Sequence, residues 1–300
     1  MKYRLQFKQR KLHFLIAMLM GFSLVSCKEE DPEYLKSIEQ WHKDRINYLK
    51  SEEGFINLAG LYWLEEGSNS FGADSANAVV FPNKANANMG NLILKDSTVY
   101  LVSNAAITIN GEPAADTTLV YNDSTDVEMR YKSLLWFVIK RGKNIGIRLR
   151  DFDNPSLAAF DSIDYYPTNP NLKLKATWRP YDPPKSADFQ NMVGMTINYP
   201  VYGAFNFEID GKEYSLEPIG EPEPEGYFVM FYDKTSGHST YGSGRYLYVP
   251  VPDQNGKTIV DFNKAFNPPC AFTEFATCLF PHKENRLPIF IKAGEKFSGH

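Results

Sequence analysis

The chain has 300 residues, 32 Lys and Arg against 36 Asp and Glu, a formal net charge of −4, and 14 % aromatic residues. That charge argues against a nucleic-acid binder, because phosphate recognition needs a basic footprint, and the length suffices to bury a core in one large or two small domains. The 18 Tyr and 21 Phe, punctuated by 20 Gly and 19 Pro, favour half-buried pleated surfaces separated by turns, so the expected fold class is mainly β.

Residues 1–26 read as a signal peptide. Lys2, Arg4, Lys8, Arg10 and Lys11 precede a mostly apolar run from Phe14 to Val25 that holds no acidic residue, the layout of a secretory signal. The run is shorter than the ~20 apolar residues that cross a bilayer as a helix. Leu24-Val25-Ser26-Cys27 resembles the bacterial lipobox, which implies lipid (palmitate) on Cys27. The expected location is then a lipid anchor in the bacterial cell envelope, at the outer membrane, with the bilayer as partner. Loss of residues 1–26 lowers the 32 basic residues to 27 against 36 acidic ones. The charged stretch Lys28 to Pro32 reads as a solvated tether. Its acids resemble the surface-export signals of some Gram-negative groups, and a plain polar spacer is the other reading.

Residues 27–54 hold the tether and a helix. Leu35, Ile38, Trp41 or His42, Ile46 and Leu49 recur at three-to-four spacing without Pro or Gly, which predicts one apolar helical face over 33–50. His42 belongs at the edge of that face. From Phe55 the period changes. Short apolar runs at 78–81, 91–95, 98–102, 106–109, 118–121, 127–131, 134–140 and 144–150 alternate with turn signals, among them Asn110-Gly111. That pair favours a two-residue hairpin because both positions tolerate positive φ. Residues 55–180 therefore read as a β-sandwich, and the hairpin spacing is similar to the forkhead-associated type. In 144–150, Ile145, Ile147 and Leu149 alternate with Gly146, Arg148 and Arg150. The basic face is either solvated or turned to an anion, since guanidinium forks suit carboxylate and phosphate.

The rigid run Pro180-Tyr181-Asp182-Pro183-Pro184 places a boundary near 180. Residues 181–300 form a second β subdomain, with strands at 196–199, 204–209, 214–216, 227–232 and 245–250. Glu217 to Gly226 reads as an acidic surface loop outside any site.

Polar residues crowd into 233–286. Phe231-Tyr232-Asp233, Gly244-Arg245, Asp261-Phe262-Asn263, Asn267-Pro268-Pro269-Cys270, Asn285-Arg286-Leu287-Pro288 and Ala293-Gly294-Glu295 resemble the DUF1684 family. Asn57 to Leu64 and Gly146 to Asp151 fit its N-terminal pattern more weakly, so the resemblance spans roughly 40–297. Leu279-Phe280-Pro281 after Cys278 departs from the Pro-rich segment expected there. The resemblance implies no established activity.

The candidate ligand-binding residues are Asp233, His238, Tyr241, Arg245, Asp261, Asn263, Asn267 and Arg286, a set suited to a small polar ligand such as a sugar, peptide or small acid. Asp261, Asn263 and Asn267 also suit turn capping alone. Ser239 with His238 or His282 and Asp233 would make a hydrolase. Cys270, Cys278 and His282 would suit zinc, although no C-x-x-C or H-E-x-x-H spacing occurs. Cys270 and Cys278 are either a disulfide, in an oxidising compartment, or free buried thiols. No nucleotide or cofactor motif is present. The leading reading is a ligand-binding or interaction module of the envelope, with a hydrolase or a purely structural envelope protein as alternatives.

Overall fold

A computed structural model describes residues 31–299. The signal peptide and Cys27 lie outside the described residues. The described residues are mainly β, with one long helix, Pro32–Lys50, ahead of the strands. Asp31 caps that helix by accepting from the backbone N–H groups of Glu33 and Tyr34, Pro32 occupies the first turn, and Ser51 closes the last turn on the Tyr48 carbonyl. A side-chain acceptor and a Pro at these positions serve the amides left free at a helix start. The buried face is Tyr34, Ile38, Arg45 and Leu49. His42 is half-buried and stacks on Tyr165 with ring centroids 3.6 Å apart.

Two six-stranded sheets follow. One has the order Leu58–Trp63, Asn144–Asp151, Leu134–Arg141, Met129–Tyr131, Thr108–Ile109, Glu112–Pro113. The other has the order Val79–Val80, Gly67–Gly72, Gly90–Lys95, Thr98–Ser103, Thr117–Asn122, Thr125–Asp126. Their inner faces share one core in which Phe81 meets both Phe71 and Trp136 edge to face. Large buried side chains of this kind contribute ~1.5–3 kcal/mol each. The Asn110-Gly111 turn has φ of 50° and 89°, the mirror-image turn that matches strand twist. The basic face of Asn144–Asp151 is neither plainly solvated nor free. Arg150 donates to Asn57 Oδ1 at 2.7 Å and to the Gly54 carbonyl, tying down the loop before the first strand, while Arg148 is largely covered.

The second half is built on a four-stranded sheet of order Lys212–Leu216, Thr196–Ile209, Lys173–Gln190, Lys257–Asp261, beside the hairpin Tyr227–Phe231 and Arg245–Val249. Its core gathers Phe205, Phe207, Phe231 and Phe262 and begins at Leu172. The boundary expected near 180 falls inside a strand. Between the pairs Pro180↔Gly203 and Lys185↔Val201 the register shifts, so that Tyr181 to Pro184 bulge against Tyr202. Pro cannot donate to a ladder and is accommodated at such bulges. A third small core of Phe189, Val201, Met230 and Tyr246 lies under this region.

Candidate functional site

The polar residues singled out in the sequence separate into distinct places. Arg245 has no exposed surface. It donates to the carbonyls of Ile291 (2.9 Å), Ala293 and Glu295 (3.3 Å), and faces Asp233 at 3.5 Å. Asp233 accepts in turn from Ile291 N at 2.7 Å and from Thr235 Oγ1 at 2.8 Å. This pair clamps the C-terminal segment to the hairpin. Asp261 and Asn263 form a second cluster: Tyr34 OH donates to Asp261 at 2.9 Å, and Asn263 Nδ2 donates to the Asn169 carbonyl at 2.9 Å. Burial, with the Asp261 charge adding to it, pushes the Tyr34 hydroxyl above its ordinary range. Asn267 donates its N–H to buried Glu295 at 2.6 Å. Tyr241 OH donates to the Cys270 carbonyl at 3.0 Å, and His238 is exposed on its turn. These groups do not meet in one open site; most of them spend their hydrogen bonds within the chain.

The hydrolase and zinc arrangements are not assembled either. Ser239 Oγ is hydrogen-bonded to Tyr166 OH, and Asp233 is committed to Arg245. Cys270 and Cys278 are joined in a disulfide with Cα atoms 6.2 Å apart, which leaves no free thiolate for a metal among the described residues.

A polar cleft sits beside the bulged strand. Its volume is about 670 Å³, and Lys185, Glu217, Tyr232, His282, Glu284 and Arg286 are among its lining residues. Contrary to its reading as part of a surface loop, Glu217 is buried, whereas Glu221 to Glu225 are exposed. Asn285 fixes it: Asn285 Oδ1 accepts from Glu217 N and its Nδ2 donates to the Glu217 carbonyl, each at 2.8 Å. The carboxylate accepts from Tyr181 OH, in the bulge, and, at 2.8 Å, from Lys185 Nζ, where the ladder resumes. Hydrogen bonding to Glu217 holds the Lys185 ammonium above its ordinary range, and burial followed by the same bond raises the Tyr181 hydroxyl. His282 lies on the cleft floor against the Phe189 ring, with centroids 5.0 Å apart. Its Nδ1 is 3.0 Å from Glu284 and its buried Nε2 is 3.8 Å from Glu217.

Glu217 is thus paired with Lys185 and Glu284 with Lys283 at 3.6 Å, while Asp188, also in the lining, accepts from Asn198 Nδ2 at 2.8 Å. Arg286 is different. It is exposed, lies over the Tyr232 ring at 4.2 Å, and forms no ion pair among the described residues. The sequence named Arg286 as a ligand-binding candidate and His282 as a base or metal ligand, but missed Glu217 and Lys185. The available signal was the Asn285-Arg286 motif, whose first residue pins the missed glutamate.

The family model described as a protein of unknown function, DUF1684, matches residues 158–296. The match takes in the C-terminal motifs and leaves out the weaker N-terminal ones. Among solved structures, the chain is similar to an uncharacterized protein of Haloarcula marismortui determined by solution NMR, at 29 % identity over 47 % of this chain and 80 % of that one, with a TM-score of 0.39. No curated protein matches the chain.

Proposed function

We propose that the protein binds a small polar acid in the cleft bounded by Lys185, Glu217, His282 and Arg286. The observation that carries this reading is the unpaired Arg286 guanidinium stacked on Tyr232 at the edge of a cleft in which Glu217 and Lys185 are already paired with each other. A guanidinium fork binds carboxylate with two parallel hydrogen bonds, and the cleft lies in the size range of small-molecule sites. Glu217, neutralised by Lys185, and the exposed Gln190 and Thr196 offer partners for hydroxyls or amides of the same ligand. Titration with glucuronate and acetate, followed by calorimetry and thermal shift, tests the reading. The expected result is saturable binding that Arg286→Ala weakens by about tenfold or more. Binding unchanged by that substitution, or no binding of either anion, refutes it.

The same reading places the protein in the bacterial envelope, held by lipid on Cys27. The support is the basic, apolar and lipobox-like order of residues 1–27. Cys27→Ser is expected to move the chain from the membrane to the aqueous fraction of lysed cells. An unaltered partition counts against the anchor.

A further inference from the structure

Residues 286–292 run away from the cleft rim as an extended segment with one side of its backbone unused. The odd-numbered residues serve the chain. Leu287 N donates to the Tyr232 carbonyl at 2.8 Å, the Ile289 carbonyl accepts from Lys234 N at 2.8 Å, and Ile291 N donates to Asp233 at 2.7 Å. Leu287 and Ile291 are buried in the second core, and Ile289 packs against it. Successive backbone groups of an extended chain point to opposite sides. Those of Arg286, Pro288 and Phe290 therefore face away from residues 232–234, and they form no hydrogen bond among the described residues.

The side chains of the even-numbered residues, Arg286, Pro288, Phe290 and Lys292, are exposed. Phe290 keeps 59 % of its surface in water, and Lys234 lies over its ring at 5.8 Å, as Arg286 lies over Tyr232. Arg286, Lys234 and Lys292 form no ion pair among the described residues. The acids closest to them in sequence are already engaged: Asp233 by Arg245, Glu284 by His282 and Lys283, and Glu295 by Arg45.

An unpaired backbone edge, three unpaired cations and an exposed ring on one line suit an extended anionic chain. With Arg286 as the anion site proposed above, we infer that the acid it holds is carried on a peptide, which pairs with the 286–290 edge as an added strand. One carboxylate of that peptide meets Arg286, further acidic groups face Lys234 and Lys292, and an apolar side chain lies against Phe290. Strand addition draws affinity from main-chain hydrogen bonds and specificity from side-chain contacts. Arg286 and Phe290 each offer an N–H and a carbonyl. Pro288 offers a carbonyl alone, which blunts indiscriminate pairing along the edge. At ~3.3 Å per residue the edge is about 13 Å long, enough for about five peptide residues. A second copy of this chain suits the edge poorly, because the same three cations would face one another across it.

Calorimetric titration of the full chain with the peptide Glu-Val-Thr-Val-Asp, its C-terminus free, tests this beside glucuronate. Two further peptides carry methyl groups on one or the other set of alternate backbone nitrogens. The expected result is saturable peptide binding about tenfold or more tighter than that of glucuronate. Methylation of the set facing the edge, and Phe290→Ser, should each weaken the peptide about tenfold, while Phe290→Ser leaves glucuronate unchanged and Arg286→Ala weakens both. Phe290 is exposed, so its variant retains the fold, which circular dichroism checks. Peptide affinity no higher than that of glucuronate, or indifferent to both methylation patterns and to Phe290→Ser, overturns the inference and leaves the small-acid reading standing. Binding of neither ligand removes the Arg286 site and the added strand with it. A dimer of the free chain that Phe290→Ser dissociates, or Phe290-dependent sedimentation with phosphatidylglycerol vesicles, reassigns the edge to a second copy or to a lipid surface and overturns the inference as well.

Discussion

Buried guanidinium groups in this protein differ in what neutralises them. Arg245 is fully enclosed, but three carbonyls and Asp233 surround it. Arg148 lies on the outer face of the first sheet, opposite Leu61 and Phe137. Its Nε and Nη2 are buried without partners. Burial, with the like charges of Arg141 and Arg150, depresses its pKa. A buried charge that lacks a partner costs free energy, whereas a well-packed apolar side chain in its place is often neutral or stabilising. Arg148→Met should therefore raise stability by ~1 kcal/mol, read as a higher urea midpoint with an unchanged slope. A loss of stability would show that Arg148 is bound to something the chain does not itself provide. Arg245→Met should behave oppositely, because it strands Asp233 and several carbonyls.

At the scale of elements, the strands with clean alternation and marked turns were legible from sequence. The runs at 91–95, 98–102, 134–140 and 144–150 became Gly90–Lys95, Thr98–Ser103, Leu134–Arg141 and Asn144–Asp151. Their period of two and their flanking turns are local properties. The helix was legible as well, but of the face read as Leu35, Ile38, Trp41 or His42, Ile46 and Leu49 only Ile38 and Leu49 are fully buried, and Tyr34 and Arg45 complete it. Arg45 occupies a core position that an apolar pattern does not assign, because its charge is met by Glu295, 250 residues away. Gly67–Gly72 and Lys257–Asp261 escaped notice: the first is rich in Gly, Ser and Asn, and the second is a short edge strand paired at long range with Lys173 to Thr177. The cleft was the least legible part. Glu217 sits beside a run of exposed glutamates, and its burial depends on Asn285, Tyr181 and Lys185, three residues brought together only by sheet register and a strand bulge. Composition reported the loop correctly and its first residue wrongly.

Over the whole molecule, the chain path makes the first helix part of the second half. The helix docks on that half before the chain enters the first sandwich: Tyr34 bonds Asp261, and Arg45 bonds Glu295 at 2.9 Å and the Asn267 carbonyl at 2.9 Å. Glu295 has no exposed surface, and its ion-pair partner Arg45 comes from outside the segment that the family model matches, with the Arg245 charge adding a weaker pull. Burial pushes the Glu295 carboxyl above the ordinary carboxylate range, and Arg45 together with the Asn267 N–H pulls it back. Arg45→Met removes that pull and raises the folded-state pKa further. A carboxyl whose folded pKa exceeds its unfolded value binds more protons in the native state, so stability is retained at acid pH and lost as pH rises through the folded value. The variant should therefore be less stable by ~3–5 kcal/mol at pH 8, the cost of a buried charge left alone. The deficit should narrow toward pH 5 as Glu295 takes up a proton. Urea unfolding of wild type and variant at several pH values checks both the size and the slope. A deficit independent of pH would mean that Arg45 contributes packing against Phe266 and Phe272 and not charge. The double variant Arg45→Met/Glu295→Gln distinguishes the two readings from the other side. It should recover much of the loss at pH 8 if charge dominates, because neither partner then leaves the other buried and unpaired.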